Sequence, residues 1–387
     1  MTRLPLLAGV ALLAACAGDD DAATPSPSPT PTPIVIGDAW RVSAVPDITG
    51  DGRGDLLAAV VDTPNPGEIV YAGPIGGSLP KPFATFAAPV DVRIGSAFLG
   101  AMDVLGDGAP DLVVGALFDG RLFAIEGPVS PGAQALIDGV VLQGDGSAFF
   151  GSSLAAGSVA AGAARALAAA SPGEPEESCV SATGLRVVAL PLIGGTASLA
   201  STSGFNPFDC PGSWLVSRDF TGDGNEDLLM ASTEGGTWIF DGPLAGDLTP
   251  ADAQHIPVIS SVYGYWLAAA GAILDADADG SDDLVLLDRS AGELVVYPLP
   301  LGAAPTRIAV PGLPLDTQGD LNGDGFRDLV LVDDEFTAQT VWVMLAPLGS
   351  SQEITGPFSW VSVGDVTDDG RADLLTLGTT GLQVHSF

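Results

Sequence analysis

Short apolar runs closed by Gly or Pro recur along the whole chain, and no stretch keeps its apolar positions at helical spacing. Leu56–Val61, apolar at every position, reads as a strand buried on both faces. A second set is rich in β-branched and aromatic residues: Glu68–Pro74, Arg121–Pro128, Leu185–Pro191, Thr237–Pro243, Glu293–Pro298, Thr340–Pro347 and Gly381–His385. Such segments fit strands paired beside the first set. Weaker fourth strands can be read at Ala84–Ala87 and Glu353–Thr355. The expected chain is therefore all-β, with one grammar repeated: an apolar strand, a polar loop, a buried strand, a turn, and a third strand.

The polar loop carries the chemistry. Its fullest copy, Asp320–Asp328, sets side-chain oxygens from Asp320, Asn322, Asp324 and Asp328 at positions one, three, five and nine. Gly325 stands at the sixth, where the backbone must turn, and Phe326 at the seventh would offer its carbonyl. That layout suits Ca²⁺, a hard cation taking six to eight oxygens. Five further copies follow the frame: Asp47, Thr49, Asp51, Asp55; Asp103, Asp107, Asp111; Asp219, Thr221, Asp223, Asp227; Asp275, Asp277, Asp279, Asp283; and Asp365, Thr367, Asp369, Asp373. Each closes on Asp-Leu. A decayed copy runs from Ser158 to Ala166 without a carboxylate. Five Ca²⁺ sites are expected. The Asp103 loop, with Leu105 at its third position, is left open as a sixth. A calcium loop of the helix-flanked kind needs its last carboxylate at position twelve, so that reading fails. Aspartates that only cap a turn remain an alternative for any single loop; six in register favour a metal.

Loop starts lie 56, 55, 61, 56, 45 and 45 residues apart, the period of repeats built from one four-stranded unit. The expected architecture is a seven-bladed β-propeller of four-stranded blades over residues 34–387. Its last blade has three strands of its own, and Ile34–Ile36 is free to supply the fourth and close the ring.

The pattern Asp-x-x-Gly-Asp-Gly-x-x-Asp-Leu, with Val114-Gly115-Ala116 after the second copy and Phe150-Gly151 before the third, resembles the FG-GAP (VCBS-type) repeats of integrin α-subunit propellers and their bacterial relatives. The resemblance covers residues 34–387. It implies Ca²⁺ held structurally on one face and ligands engaged by the other.

The net charge of −35, from 48 acidic against 13 basic residues, argues against a nucleic-acid partner. Six bound divalent ions would offset twelve of those charges. Residues 1–15 read as a cleaved export signal. Leu13-Ala14-Ala15-Cys16 resembles the bacterial lipobox, which implies lipidation of Cys16 and an anchor in the cell envelope, at the outer membrane or cell surface. Residues 16–33 then form a Pro/Ser/Thr-rich tether. Cys179 and Cys210, the remaining cysteines, fall in loops at the same end of neighbouring blades and are expected to pair.

Arg53-Gly54-Asp55 spells an adhesion tripeptide, but Asp55 is also a ninth-position ligand. His255 and His385 lie 130 residues apart, with no nucleophile elbow or phosphate loop in the chain. The functional expectation is a non-enzymatic, monomeric binding or adhesion module. Its partner, a protein or glycan, would sit on the face opposite the Asp loops. Phe205, Phe208 and Tyr265 in inserted or interblade loops are the candidate anchors, although most aromatics there would pack between blades. An exported hydrolase or lyase acting on polysaccharide or lipid is the alternative.

Overall fold

The computed structural model describes residues 33–36, 39–60, 67–88, 93–117, 120–135, 140–143, 150–151, 153–170, 185–192, 198–205, 211–232, 235–258, 270–315, 319–333 and 338–387. Apart from one short 3₁₀ turn at Pro250–Asp252, the regular structure of these residues is all strand.

The first sheet holds β1 (Ala39–Val45), β2 (Asp55–Val60), β3 (Gly67–Tyr71) and β4 (Ala84–Ala87). The second holds β5 (Arg93–Met102), β6 (Asp111–Leu117), β7 (Arg121–Ile125) and β9 (Val140–Gln143); β8 (Gly132–Ala135), between the last two, instead pairs in parallel with β4. The third holds β10 (Ser153–Gly157), β11 (Ala166–Ala170), β12 (Arg186–Ala189) and β13 (Ser198–Thr202). The fourth holds β14 (Pro211–Arg218), β15 (Asp227–Ser232), β16 (Thr237–Phe240) and β18 (Ala253–Ile256), while β17 (Gly246–Leu248) joins β13 in parallel. The fifth holds β19 (Gly271–Leu274), β20 (Asp283–Asp288), β21 (Glu293–Pro298) and β22 (Thr306–Ala309). The sixth runs from β23 (Leu313–Pro314) through β24 (Leu329–Val332), β25 (Ala338–Met344), β26 (Ser351–Gly364) and β27 (Asp373–Gly378) to β28 (Gly381–His385).

Seven separate sheets, expected from the repeat, do not form; the described residues make six. The reason is β26, which runs unbroken for 14 residues and pairs with β25 along its first part and with β27 along its second. It fuses what the repeat would divide.

The core lies between neighbouring sheets. Every residue of β2, β11 and β15 is buried, because each second strand is covered on both faces. Ile48, Leu57 and Val70 of the first repeat pack in one cluster with Leu112, Val114 and Phe123 of the second. The outer strand β22, by contrast, is exposed at three of its four positions.

One backbone bond recurs between successive repeats. The residue after an X-Pro step donates its N–H to the carbonyl of the second loop position in the preceding repeat: Val129 to Ile48, Leu192 to Val104, Leu244 to Val159, Leu301 to Phe220 and Leu348 to Ala276, at 2.6–2.8 Å. Ile75 makes the same bond to Val366 at 2.6 Å and so joins the first repeat to the last. At the outer edge Ile34 meets Leu382 through two backbone bonds of 2.6 and 2.8 Å, an isolated bridge and not the full strand expected over Ile34–Ile36.

Candidate metal-binding loops

Each Asp loop is tied together by its own carboxylates. Asp47 accepts the N–H groups of Gly50 and Gly52 at 2.6 and 2.7 Å, and Asp51 accepts that of Arg53 at 3.0 Å. Asp219 with Asp223, Asp320 with Asp324, and Asp365 with Asp369 repeat this geometry. Asp103 with Asp107 does the same, and Asp275 with Asp279 follows closely. Such turns need left-handed backbone at positions four and six. Gly takes the fourth position in four loops, while Ala278 (φ 60°) and Asp368 (φ 63°) adopt it against the usual steric cost.

The ninth aspartate works differently. Asp55, Asp111, Asp227, Asp283, Asp328 and Asp373 are all buried at the foot of a second strand. One oxygen of Asp111 accepts the N–H groups of Val104 and Leu105, both at 2.7 Å, and the other accepts Gly127 at 3.0 Å. Asp55 and Asp227 make the same three backbone bonds. Asp373, in the last repeat, accepts Ser386 Oγ at 2.8 Å where Asp55, Asp111, Asp227 and Asp328 accept the N–H of the X-Pro step. This aspartate therefore clamps loop to sheet whatever else it binds.

Convergence of the carboxylates differs between loops. Asp275, Asp277 and Asp283 bring ligand oxygens within 4.8 Å of one another, and so do Asp103, Asp107 and Asp111. The Asp103 loop, left open by sequence for want of an oxygen at Leu105, thus has one of the two acidic groups that converge among the described residues. Third-position oxygens vary. Thr49 Oγ1 donates to Asp55 at 3.3 Å and Asn322 Nδ2 to Asp324 at 2.8 Å, while the buried Thr221 Oγ1 has no hydrogen-bond partner among the described residues. Burial, with the charges of Asp277, Asp279 and Asp275 added, raises the Asp283 carboxyl. Burial pushes Asp328 up to about 6. The converged Asp275, Asp277 and Asp283, with the buried Asp283 carboxyl raised, are an all-oxygen donor set that fits a hard divalent cation.

The decayed loop shows what replaces this chemistry. Ser158 Oγ donates across the turn to the Ala164 carbonyl at 2.9 Å, and Glu226 of the next repeat accepts the Ser158 N–H at 2.7 Å. Elsewhere on this end, Asp282 bridges Arg218 and Arg327 at 2.7 and 2.8 Å across two repeat junctions, and Arg53 meets Asp368 at 3.2 Å. Clefts of about 690 and 410 Å³ lie between those loops.

The tripeptide Arg53-Gly54-Asp55 is not displayed: Asp55 is fully buried, and Gly54 lies against the Asp365 carbonyl. Phe205 is not an exposed anchor either. It is 7% exposed and packs edge-on against Trp238 and Phe240, with centroids 5.0 and 6.4 Å away. Both histidines are engaged. His255 stacks on Trp238 with Nε2 2.7 Å from the Gly235 carbonyl, and His385 Nε2 lies 2.9 Å from Thr376 Oγ1. Phe208, Tyr265, Cys16, Cys179 and Cys210 lie outside the described residues.

No family model matches the chain, and no curated protein matches it. Solved structures do. BBS1N in complex with ARL6DN, soaked with lead, aligns at TM-score 0.54 and 12% identity over 91% of this chain and 93% of its own. The mercury-soaked form gives 0.52 and 13%, over 90% and 94%. Raptor from Chaetomium thermophilum gives 0.53 and 11%, over 93% of this chain but 28% of that one. The chain is a β-propeller. At such identities the likeness is one of fold alone.

The inter-repeat amide bond, the Glu226 substitution and the Ser386 clamp were not anticipated from sequence. The first had a signal, since an apolar residue follows each Pro at the end of a third strand. The other two pair residues from different repeats or strands and have none.

Proposed function

We propose that this β-propeller is a calcium-braced binding module of the bacterial cell envelope, composed of seven FG-GAP-like repeats. On this reading the six-stranded sheet counts as two repeats sharing β26. Asp275, Asp277 and Asp283 would hold one ion and Asp103, Asp107 and Asp111 another, with the remaining Asp loops as further sites. The ion would neutralise converged carboxylates and cross-link the loop. Cys16 would carry the lipid and Cys179 would pair with Cys210; thiol labelling of the denatured mature protein tests that bond.

The observation carrying the functional reading is that the Asp-loop end is committed to the molecule's own architecture. Its carboxylates serve loop turns, strand clamps and ion pairs between repeats, which leaves the opposite end for a protein or glycan partner. The engagement of both histidines supports a binder over a hydrolase. Phe208 and Tyr265 are retained as anchors; Phe205 is not. Purified mature protein should bind discrete members of a glycan array or a panel of envelope proteins with saturable stoichiometry. Turnover of polysaccharide or ester substrates without saturable binding would favour the hydrolase or lyase instead.

A further inference from the structure

The junction between the first and last repeats is built differently at its two ends. At the Asp-loop end it is held by backbone contacts, Ile75 to Val366 and Gly54 against Asp365, with the Arg53–Asp368 ion pair beside them. Toward the opposite end it is held by side chains. Both facing strands bulge there, β1 between Ala39 and Arg41 and β26 between Phe358 and Trp360. A bulge adds one residue and re-aims its neighbours. The consecutive residues Trp40 and Arg41 both reach Trp360: the two indoles meet edge-on at 5.9 Å, and the guanidinium carbon of Arg41 stands 4.3 Å over the Trp360 ring.

Behind this contact lies a carboxylate without a hydrogen bond. Arg41 pairs with Ala59, Ala59 with Glu68 and Glu68 with Phe86, so all four share one row and one sheet face. Ala59, with its single methyl, stands between Arg41 and Glu68 in that row. Glu68 is fully buried, and neither carboxyl oxygen has a hydrogen-bond partner among the described residues. An ionised carboxylate in that state is costly. Burial pushes Glu68 up to about 8 against the pull of Arg41. Among the described residues its row holds Arg41 on β1, which is the one charge that pulls on it, and the apolar Ala59 and Phe86 on β2 and β4.

We propose that Glu68, Arg41 and Trp360 form a charge-operated clasp on ring closure. With Glu68 neutral, Arg41 stays over Trp360 and binds the first repeat to the last. When Glu68 loses its proton to solvent, the buried carboxylate draws the guanidinium across Ala59, the indole is released, and this end of the seam loosens while the backbone bonds at the other end persist. The sign follows from linkage. A carboxyl whose folded pKa lies above its unfolded value makes stability fall as pH rises from about 4.5 toward about 8.

The test uses the full mature chain at fixed Ca²⁺, following tryptophan emission and Tm between pH 6.5 and 9. The wild type should show a single-proton emission step in the upper half of that range, together with a falling Tm. Glu68→Gln should remove both, and Trp360→Phe should remove the emission step while keeping the fall in Tm. A wild type whose Tm falls with no emission step would show that Glu68 titrates without moving Arg41, which overturns the clasp. A wild type flat in both, or a Glu68→Gln variant that keeps the step, overturns it as well. Should Trp360→Phe fail to fold, the wild type and Glu68→Gln still decide.

Discussion

The amide of Ile75 donates to the carbonyl of Val366 at 2.6 Å across 291 residues of chain, and this contact makes the array a ring. It repeats the bond by which Val129 reaches Ile48 and Leu348 reaches Ala276. At the junction that follows the Asp320 loop a different backbone bond is made, from the Ala372 N–H to the Asp320 carbonyl at 2.9 Å, and β26 runs through both neighbouring pairings.

At the seam, a Cβ on Gly54 would stand 2.0 Å from the Asp365 carbonyl oxygen, a backbone atom with no freedom to swing aside. Gly54→Ala is expected to cost about 2 kcal/mol or more by overpacking. Gly76→Ala, with nothing within 4 Å of its Cβ, should stay within about 0.5 kcal/mol of wild type. Equal urea midpoints for the two variants would count against the seam.

Clamp and cage can be separated by working in chelator. Asp111→Ala strands the N–H groups of Val104, Leu105 and Gly127, and at about 1–3 kcal/mol for each buried orphan should cost about 3 kcal/mol or more without any metal. Asp107→Ala strands only the exposed Ala109 N–H and should cost less than about 1 kcal/mol. Denaturant unfolding of both variants reads the difference.

Calcium should raise Tm and chelation lower it. Exported calcium modules bind at about 10⁻⁴ to 10⁻³ M, and a site tenfold above its dissociation constant contributes about 1.4 kcal/mol. Asp277→Ala, which breaks a converged group, should lower the number of ions bound in calorimetric titration by one. A melting temperature indifferent to chelator would refute the cage reading for all the loops.

Burial pushes His385 down to about 4, so the folded chain holds it neutral. A cationic group with a lowered folded pKa contributes stability above about pH 6.5, and that contribution is lost as pH falls toward about 4, for a total of about 3 kcal/mol. His385→Gln, keeping a polar partner for Thr376, should flatten this part of the stability profile relative to wild type. Identical slopes between pH 6.5 and 4 would show that the ring is not held neutral.

The all-β class, the buried second strands and the Asp loop turns could all be read from the chain itself. Each rests on local chemistry: an apolar run needs cover, a Gly marks a left-handed turn, and a carboxylate repeated at positions one, five and nine marks one turn geometry. What the linear chain could not settle depends on residues that meet only after the repeats close. Whether β26 breaks or continues depends on pairing from both of its sides. Whether Phe205 is an anchor depends on Trp238 and Phe240, which fill the space around it. Gly54 is constrained by a carbonyl 311 residues away, and Glu68 is an ordinary strand glutamate until β1 and β26 meet. Periodicity describes a repeat to itself; the relation between the first repeat and the last is a property of the closed ring.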